Sequence, residues 1–490
     1  MNGDQFPVLG GILILADLAI RIAALIIVPR DRKPTAAMAW LLAIFLIPFI
    51  GILLFLLIGN PRLPKKRREK QDELNRIITD RAQGIELVDG RGSWPDWFGS
   101  LVRQNHELGA LPAVGGNAAT LIGDYRSSID AMTADIETAS RFVHVEFFIV
   151  SWDATTKPFF AAMERAVQRG VTVRLLADYV ASRRAVDSDK TFAELDRIGV
   201  KWSWMLPVRP FSGEYQRPDL RNHRKLVVVD GLVAHMGSQN LIDRSYNTPK
   251  NLKRGLQWQE LMTRITGPVV AETNAVFLSD WYLETGELLG SDAQVRAVDV
   301  PADPSPDALV CQVVPSGPGY GEENNLRQFL TLVTSAQRKV IITSPYFVPD
   351  EAMMYAITTA CQRGLEVQLF VSEVGDQGAV WHAQRSYYEP LLRAGVQIWL
   401  YPAPYILHSK HLSIDDDVAV IGSSNMDIRS FALNSEVTLL VHGRSFVEQM
   451  RAVEQGYRDA GRQLTLEEWK REPKSATFLD GVARLTSALQ

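Results

Sequence analysis

One spacing of reactive side chains is written twice in this chain. His223-x-Lys225-x4-Asp230-x6-Gly237-Ser238-x-Asn240 recurs as His408-x-Lys410-x4-Asp415-x6-Gly422-Ser423-x-Asn425, every position displaced by 185 residues. Six fixed positions, each filled at roughly one residue in twenty, arise by chance about once in ~10^7–10^8 starts. Two imidazoles and two ammonium groups, with neutral donors and without a carboxylate cluster or Cys/His metal spacing, describe an anion site. A phosphoryl group fits. One imidazole can attack phosphorus and form a phosphohistidine while the other protonates the leaving oxygen. Lys225 and Lys410 then neutralise the phosphoryl oxygens, with Ser238, Asn240, Ser423 and Asn425 as phosphate-binding groups. This chemistry calls for no metal and no cofactor. Two core histidines satisfied by backbone partners would leave the paired lysines unexplained.

The elements that position these groups are readable locally. Leu226–Val229 is aliphatic and ends in Asp230-Gly231, a strong hairpin signal. His223 and Lys225 are two apart on the preceding strand and leave the same face. A turn centred on 230/231 places Ser238 opposite His223, with Cβ atoms about 5 Å apart, and the second copy places Ser423 opposite His408. Seven extended residues carry Asp230 and Asp415 roughly 23 Å from their histidines, which assigns them to turn structure. A carboxylate is still wanted behind each imidazole to fix its tautomer. Glu436 and Glu260, in the strand-like runs after each Gly-Ser-x-Asn, are the candidates; for Glu260 a surface role is the alternative.

The chain has 490 residues, 46% hydrophobic and 22% charged, too apolar for disorder and long enough for two or three domains. A net charge of −4 argues against a nucleic-acid-coating protein, but residues 1–70 carry +6 and the remainder −10. Cys311 and Cys361 cannot make a disulfide framework and fit the core as small residues. Phe6–Val28 and Ala36–Gly59 are apolar stretches of 23 and 24 residues, each long enough to span a bilayer. They are expected to form a transmembrane hairpin, Pro48 kinking the second span and Asp17 pairing with Arg21. Six basic residues after the hairpin (Arg62, Lys65, Lys66, Arg67, Arg68, Lys70), against three in its connection, favour a cytoplasmic catalytic region.

Beyond the hairpin, β-rich runs alternate with helical stretches. Val143–Val150, Phe159–Gln168 and Val171–Ala177 read as strand, helix, strand, and Val340–Ser344, Ala352–Arg363 and Leu365–Val371 repeat the order. This is a duplicated α/β domain with a largely parallel sheet. The expected division is two transmembrane helices over 1–60, a juxtamembrane connector over 61–120, a first domain over 121–284, a linker over 285–308 and a second domain over 309–490. The aromatics of the connector, Trp94, Trp97 and Phe98, are expected to pack. The first copy carries about eleven extra residues near Val208–Pro218, suited to a lid or substrate loop.

The doubled His-x-Lys-x4-Asp resembles the phospholipase D superfamily, and the fuller pattern resembles bacterial cardiolipin synthases. The stretches that carry the resemblance include Val143-His-Val-Glu-Phe-Phe148, Arg221-Asn-His-Arg-Lys-Leu226, Val314-Pro-Ser-Gly-Pro318, Ser344-Pro-Tyr-Phe-Val-Pro-Asp350 and Gly422-Ser-Ser-Asn-Met-Asp-Ile-Arg-Ser430. It implies two tandem α/β/α-sandwich phospholipase D-like domains sharing one active site, after an N-terminal transmembrane helical hairpin. It also implies a multi-pass protein of the bacterial plasma membrane. His223 would be the nucleophile and His408 the general acid and then base, with Lys225, Lys410, Asp230 and Asp415 also counted in the catalytic set. The reaction implied is phosphatidyl transfer between two phosphatidylglycerol molecules, releasing glycerol. Hydrolysis, or transfer to another alcohol such as phosphatidylethanolamine, is the alternative. The partners are phospholipids and the bilayer, and not nucleic acid. Asp243 and Asp427 fall out of register between the copies and receive no role.

Overall fold

A computed structural model of the chain describes residues 5–30, 32, 34–59, 63–82, 94–109, 111–209, 214–215, 217–290, 296–303, 305, 307–320 and 323–485. It divides into two units, residues 1–62 with 217–219, and the rest.

The first unit is helical. Helix α1 spans Gln5–Ile27, and the next apolar stretch is two helices, α2 (Pro34–Leu46) and α3 (Pro48–Ile58). Proline cannot continue the helix hydrogen bonding at position 48, and the chain folds back there instead of kinking. Trp40 packs edge-on against Phe55 at 5.5 Å, and Arg32 Nε donates to the Gly59 carbonyl oxygen at 3.0 Å. Gly51 is required at the crossing because a Cβ there would lie 2.7 Å from the Ala43 carbonyl oxygen. The two expected spans are therefore not supported: among the described residues no helix is both long and apolar enough to cross a membrane. Asp17 accepts from Arg21 Nε at 2.8 Å, as the one-turn spacing anticipates. Arg62 and Lys33, counted in the charge argument, lie outside the described residues.

The second unit is built on a fifteen-stranded sheet. Its strands are β1 (Val114–Ile122), β2 (Phe142–Phe147), β3 (Thr172–Asp178), β4 (Lys201–Met205), β5 (Lys225–Val229), β6 (Val233–Gly237) and β7 (Met262–Thr266) in the first half. The second half supplies β8 (Leu309–Ser316), β9 (Lys339–Thr343), β10 (Glu366–Ser372), β11 (Gln397–Tyr401), β12 (His411–Ile414), β13 (Val418–Gly422), β14 (Glu436–His442) and β15 (Arg462–Leu464). The spatial order is β15-β11-β10-β9-β12-β13-β14-β8-β1-β7-β6-β5-β2-β3-β4, so each half repeats one order outward from the central β1–β8 pair. Pairing is parallel only along β2-β3-β4 and β9-β10-β11. The sheet is mixed, not largely parallel, because each catalytic hairpin and the strand after it pair antiparallel.

The halves share one sheet and one core. Buried Asn117 sits at the junction, donating to the carbonyls of Val114 at 2.7 Å and Leu309 at 3.1 Å and accepting from Val269 N–H at 2.8 Å. One apolar cluster runs across it, with Met236, Ile265 and Phe277 from the first half and Ile421, Leu439 and Val441 from the second. Strand β1 begins at Val114, inside the stretch expected to be connector. Phe98 of that stretch is buried in the second-half core, with Trp94 and Trp97 packed against it. In the extra segment of the first copy, Val208–Arg209 pairs antiparallel with Glu214–Tyr215; residues 210–213 lie outside the described residues.

Candidate active site

Both motif-bearing hairpins turn one residue later than a two-residue turn at Asp230-Gly231 or Asp415-Asp416 would. Leu226 pairs with Met236 and His411 with Ile421, so Lys225 faces Gly237 and Lys410 faces Gly422. Ser238 and Ser423 consequently do not stand opposite their own histidines. The glycines are obligatory: a Cβ at Gly237 would collide with the Leu261 carbonyl oxygen, and one at Gly422 with that of Val437.

Asp230 and Asp415 stay with the turns, against their place in the resemblance-derived catalytic set. Both take left-handed backbone, φ 53° and 49°, which aspartate tolerates better than most residues. Asp230 accepts from the N–H groups of Ser140, Arg141 and Phe142 at 2.8, 2.8 and 2.9 Å, and Asp415 from those of Gln337, Arg338 and Lys339 at 3.0, 2.8 and 2.9 Å. Each carboxylate thus ties its hairpin tip to the start of the neighbouring strand, β2 or β9.

The histidines are placed by strand pairing between the halves. His223 N–H donates to the Ser435 carbonyl at 2.8 Å, and Ser435 N–H to that of Arg221 at 2.8 Å. Tyr405–Leu407 runs parallel to Gln257–Gln259, and His408 N–H donates to the Gln259 carbonyl at 2.7 Å. Each imidazole is thereby set beside the glutamate of the opposite half. His223 Nδ1 lies 3.0 and 3.1 Å from the two carboxylate oxygens of Glu436 and 3.0 Å from the Ser423 carbonyl oxygen. His408 Nδ1 lies 2.8 Å from Glu260. Sequence reasoning found both glutamates but not the exchange of partners, which no local spacing encodes.

The serines complete the carboxylates and are not turned to a phosphate. Ser238 Oγ donates to Glu260 at 2.6 Å and Ser423 Oγ donates to Glu436. Asn240 is also engaged, accepting from Ile149 N–H at 3.2 Å and donating to Tyr246 OH at 2.8 Å. Asn425 differs, because its buried side-chain oxygen has no partner among the described residues. The Lys225 and Lys410 ammonium groups are buried and donate to the carbonyls of His223 and His408.

Burial sets the charge states. It pushes both imidazoles down to about 4, against the pull of Glu436 on His223 and of Glu260 on His408. Burial likewise pushes Lys225 well below the usual lysine range and Lys410 to about 8. It works to raise Glu260 and Glu436, but the facing histidines and lysines outweigh it and hold both below the usual carboxylate range. Lys410 depresses His223 and Lys225 depresses His408, so both motifs lie within one electrostatic cluster. At neutral pH each imidazole is neutral, its Nδ1–H given to a carboxylate and its Nε2 lone pair turned away from it.

Around this cluster stand residues that the motifs do not announce. Phe148 meets His223 edge-on at 4.9 Å, while Tyr246 and Tyr346 stand 6.4 and 6.2 Å from His408. Buried Arg224 donates to the Glu436 carbonyl at 3.0 Å and to Asp280, fixing the backbone that bears the first orienting carboxylate. Asp427 caps the helix Ile428–Ala432 through Ser430 N–H at 2.7 Å, and Asp243 accepts from Ser245 N–H at 2.9 Å.

Comparison with known proteins bears on the family and the fold. A family model described as cardiolipin synthase, phospholipase D-like domain, matches residues 132–281 and 329–455, and a phospholipase D-nuclease N-terminal model matches residues 19–60. Cardiolipin synthase A of Pectobacterium carotovorum is 31% identical over 476 residues, 95% of this chain and 94% of that protein. Cardiolipin synthase A of Proteus mirabilis is 29% identical over 94% of both chains. The crystal structure of phosphatidylserine synthase from Haemophilus influenzae superposes with a TM-score of 0.60 at 16% identity, covering 79% of this chain and 99% of that one, which speaks to the fold. With both halves of the repeat matched and the relatives aligned nearly end to end, the chain belongs to the phospholipase D-like family of cardiolipin synthases.

Proposed function

We propose that this enzyme transfers a phosphatidyl group from one phosphatidylglycerol to the hydroxyl of a second, forming cardiolipin and releasing glycerol. The observation that carries the reading is the exchanged pair of imidazole–carboxylate contacts, His223 with Glu436 and His408 with Glu260, beside two buried lysines. Glu436 fixes the His223 tautomer with Nε2 as the free nucleophile. Lys225 and Lys410 neutralise the diester, with Asn425 as a further contact. As the His223 Nε2–phosphorus bond forms, the bond to the leaving glycerol oxygen breaks, and His408 gives that oxygen its proton. In the second step the acceptor hydroxyl passes its proton to His408 and attacks phosphorus, breaking the phosphorus–nitrogen bond. A bound phosphate anion raises His408 from its resting value near 4, which lets it carry the proton it must donate.

The helices α1 to α3 attach the enzyme to the bacterial cell membrane, with the catalytic unit on the cytoplasmic side. Their support is the apolar surface they expose, including Leu15, Met38, Leu46 and Leu56, each more than 60% accessible. Holding the site at the membrane raises the effective concentration of two lipid substrates. The test is incubation of the membrane-embedded full chain with phosphatidylglycerol. Cardiolipin and glycerol in equal amounts are expected; phosphatidic acid as the sole lipid product would make the enzyme a hydrolase.

A further inference from the structure

The two sides of the active site are not alike. Each half has a residue just before its parallel contact with the segment after Gly-Ser-x-Asn, the Val150–Leu241 bridge in one and the Phe347–Met426 pair in the other. That residue is Ile149 in the first half and Tyr346 in the second. Beside His223 stands Phe148; Tyr346, 6.2 Å from His408, lines a small recess together with Ser372, Asp376, Gln377 and Trp381.

The recess is polar at its base. Tyr346 OH donates to the two carboxylate oxygens of Asp376 at 3.1 and 3.0 Å, and Gln377 Nε2 donates to Tyr346 OH at 3.3 Å. Both halves build it. Lys250 and Arg254, on the helix Pro249–Arg254 of the first half, donate to the carbonyls of Asp376 and Gly375 at 3.2 and 2.8 Å and hold the loop in place. Gly375 is needed there because a Cβ would lie 2.6 Å from Trp381. Asp376 also acts electrostatically on Lys410. Neither the phosphorus chemistry nor the orientation of the histidines uses this half-buried carboxylate, which desolvation holds above the usual range.

We propose that this recess is the headgroup subsite, in which Asp376 and Tyr346 bind the non-reacting hydroxyl of a vicinal diol while its neighbour lies at His408. The free space suits a single hydroxyl and not a whole headgroup. The diol hydroxyl donates to Asp376 and accepts from Tyr346 or Gln377, and the adjacent hydroxyl gives its proton to His408 as its oxygen bonds to phosphorus and the phosphorus–nitrogen bond breaks. This rests on the phosphatidyl-transfer reading and adds to it the residues that select a polyol over water or a simple alcohol.

The test offers the full-length enzyme, charged from unlabelled phosphatidylglycerol, two soluble acceptors of equal carbon number, glycerol and propan-1-ol, both carbon-14 labelled so that each product is distinguished from the donor. The readout is the ratio of their kcat/KM values for transfer. The wild type is expected to prefer glycerol, and Y346F and D376A are expected to lower that preference about 10–100-fold, the effect of a lost hydrogen bond to a charged group. An unchanged ratio in both variants would overturn the subsite. A wild type that gives only phosphatidic acid, with no product from either alcohol, would instead overturn the transfer reading beneath it.

Discussion

The two halves of the catalytic unit agree in what surrounds each imidazole and differ in what lies one step further out. Each contributes a histidine, a buried lysine, a serine that braces a glutamate and a glycine that admits the next strand. Beyond that shell, the residue after His223 is Arg224, locked to Asp280 and to the Glu436 carbonyl, whereas the residue after His408 is Ser409, paired with Tyr457 OH at 3.0 Å. Phe148 flanks one histidine; Tyr346, which donates to Asp376, flanks the other. Duplication therefore kept the imidazole–carboxylate pair in each half and left the flanks free to differ. Each half supplies the histidine of one imidazole–carboxylate pair and the carboxylate of the other.

Substituting the carboxylates tests that exchange with the largest expected effect. E436Q and E260Q should each lower kcat about 10²–10⁴-fold, as loss of the tautomer-fixing charge does elsewhere. Nitrogen chemical shifts of labelled histidine should move at His223 in E436Q and at His408 in E260Q; the opposite assignment would restore each glutamate to its own half.

A pH profile sharpens the comparison with a smaller effect. His223 rests near 4, so kcat, which reports the lipid-bound enzyme, should fall as pH drops through about 4, where the nucleophile protonates. Lys410 titrates near 8, so the profile should fall again as pH rises through about 8, when the phosphate loses a counter-charge. Each limb should approach tenfold per unit. A profile flat from 6 to 10 would contradict the buried setting of Lys410.

The aspartates should matter least to turnover. D230A and D415A each leave backbone N–H groups without an acceptor and should destabilise the fold by about 2–3 kcal/mol in denaturant titration. Turnover per folded molecule should stay within about threefold. A loss comparable to that of E436Q would return them to the catalytic set.

Much of this was legible from spacing. The strand-helix-strand repeats lie within a few residues of their expected ends because glycines at 170, 364 and 395 stop the helices in left-handed backbone. The aspartates were legible as turn residues from strand length alone. The one-residue register shift was not, because both turns carry a third residue, Leu232 or Asp417, that the Asp-Gly signal does not reveal. The fold-back at Pro48 was hidden because hydropathy reports length without direction. The glutamate exchange and the Tyr346–Asp376 recess were invisible because they join positions from different strands or loops, which only the assembled sheet brings together.

The most direct test of the central claim, one phosphorus held between histidines from both halves, is a single-turnover quench with phosphatidylglycerol carrying radioactive phosphorus. The account predicts at most one phosphohistidine per chain, on His223, formed promptly in the wild type, slowly in H408A and not at all in H223A. Label on both histidines of one wild-type chain would mean two independent sites and would contradict it.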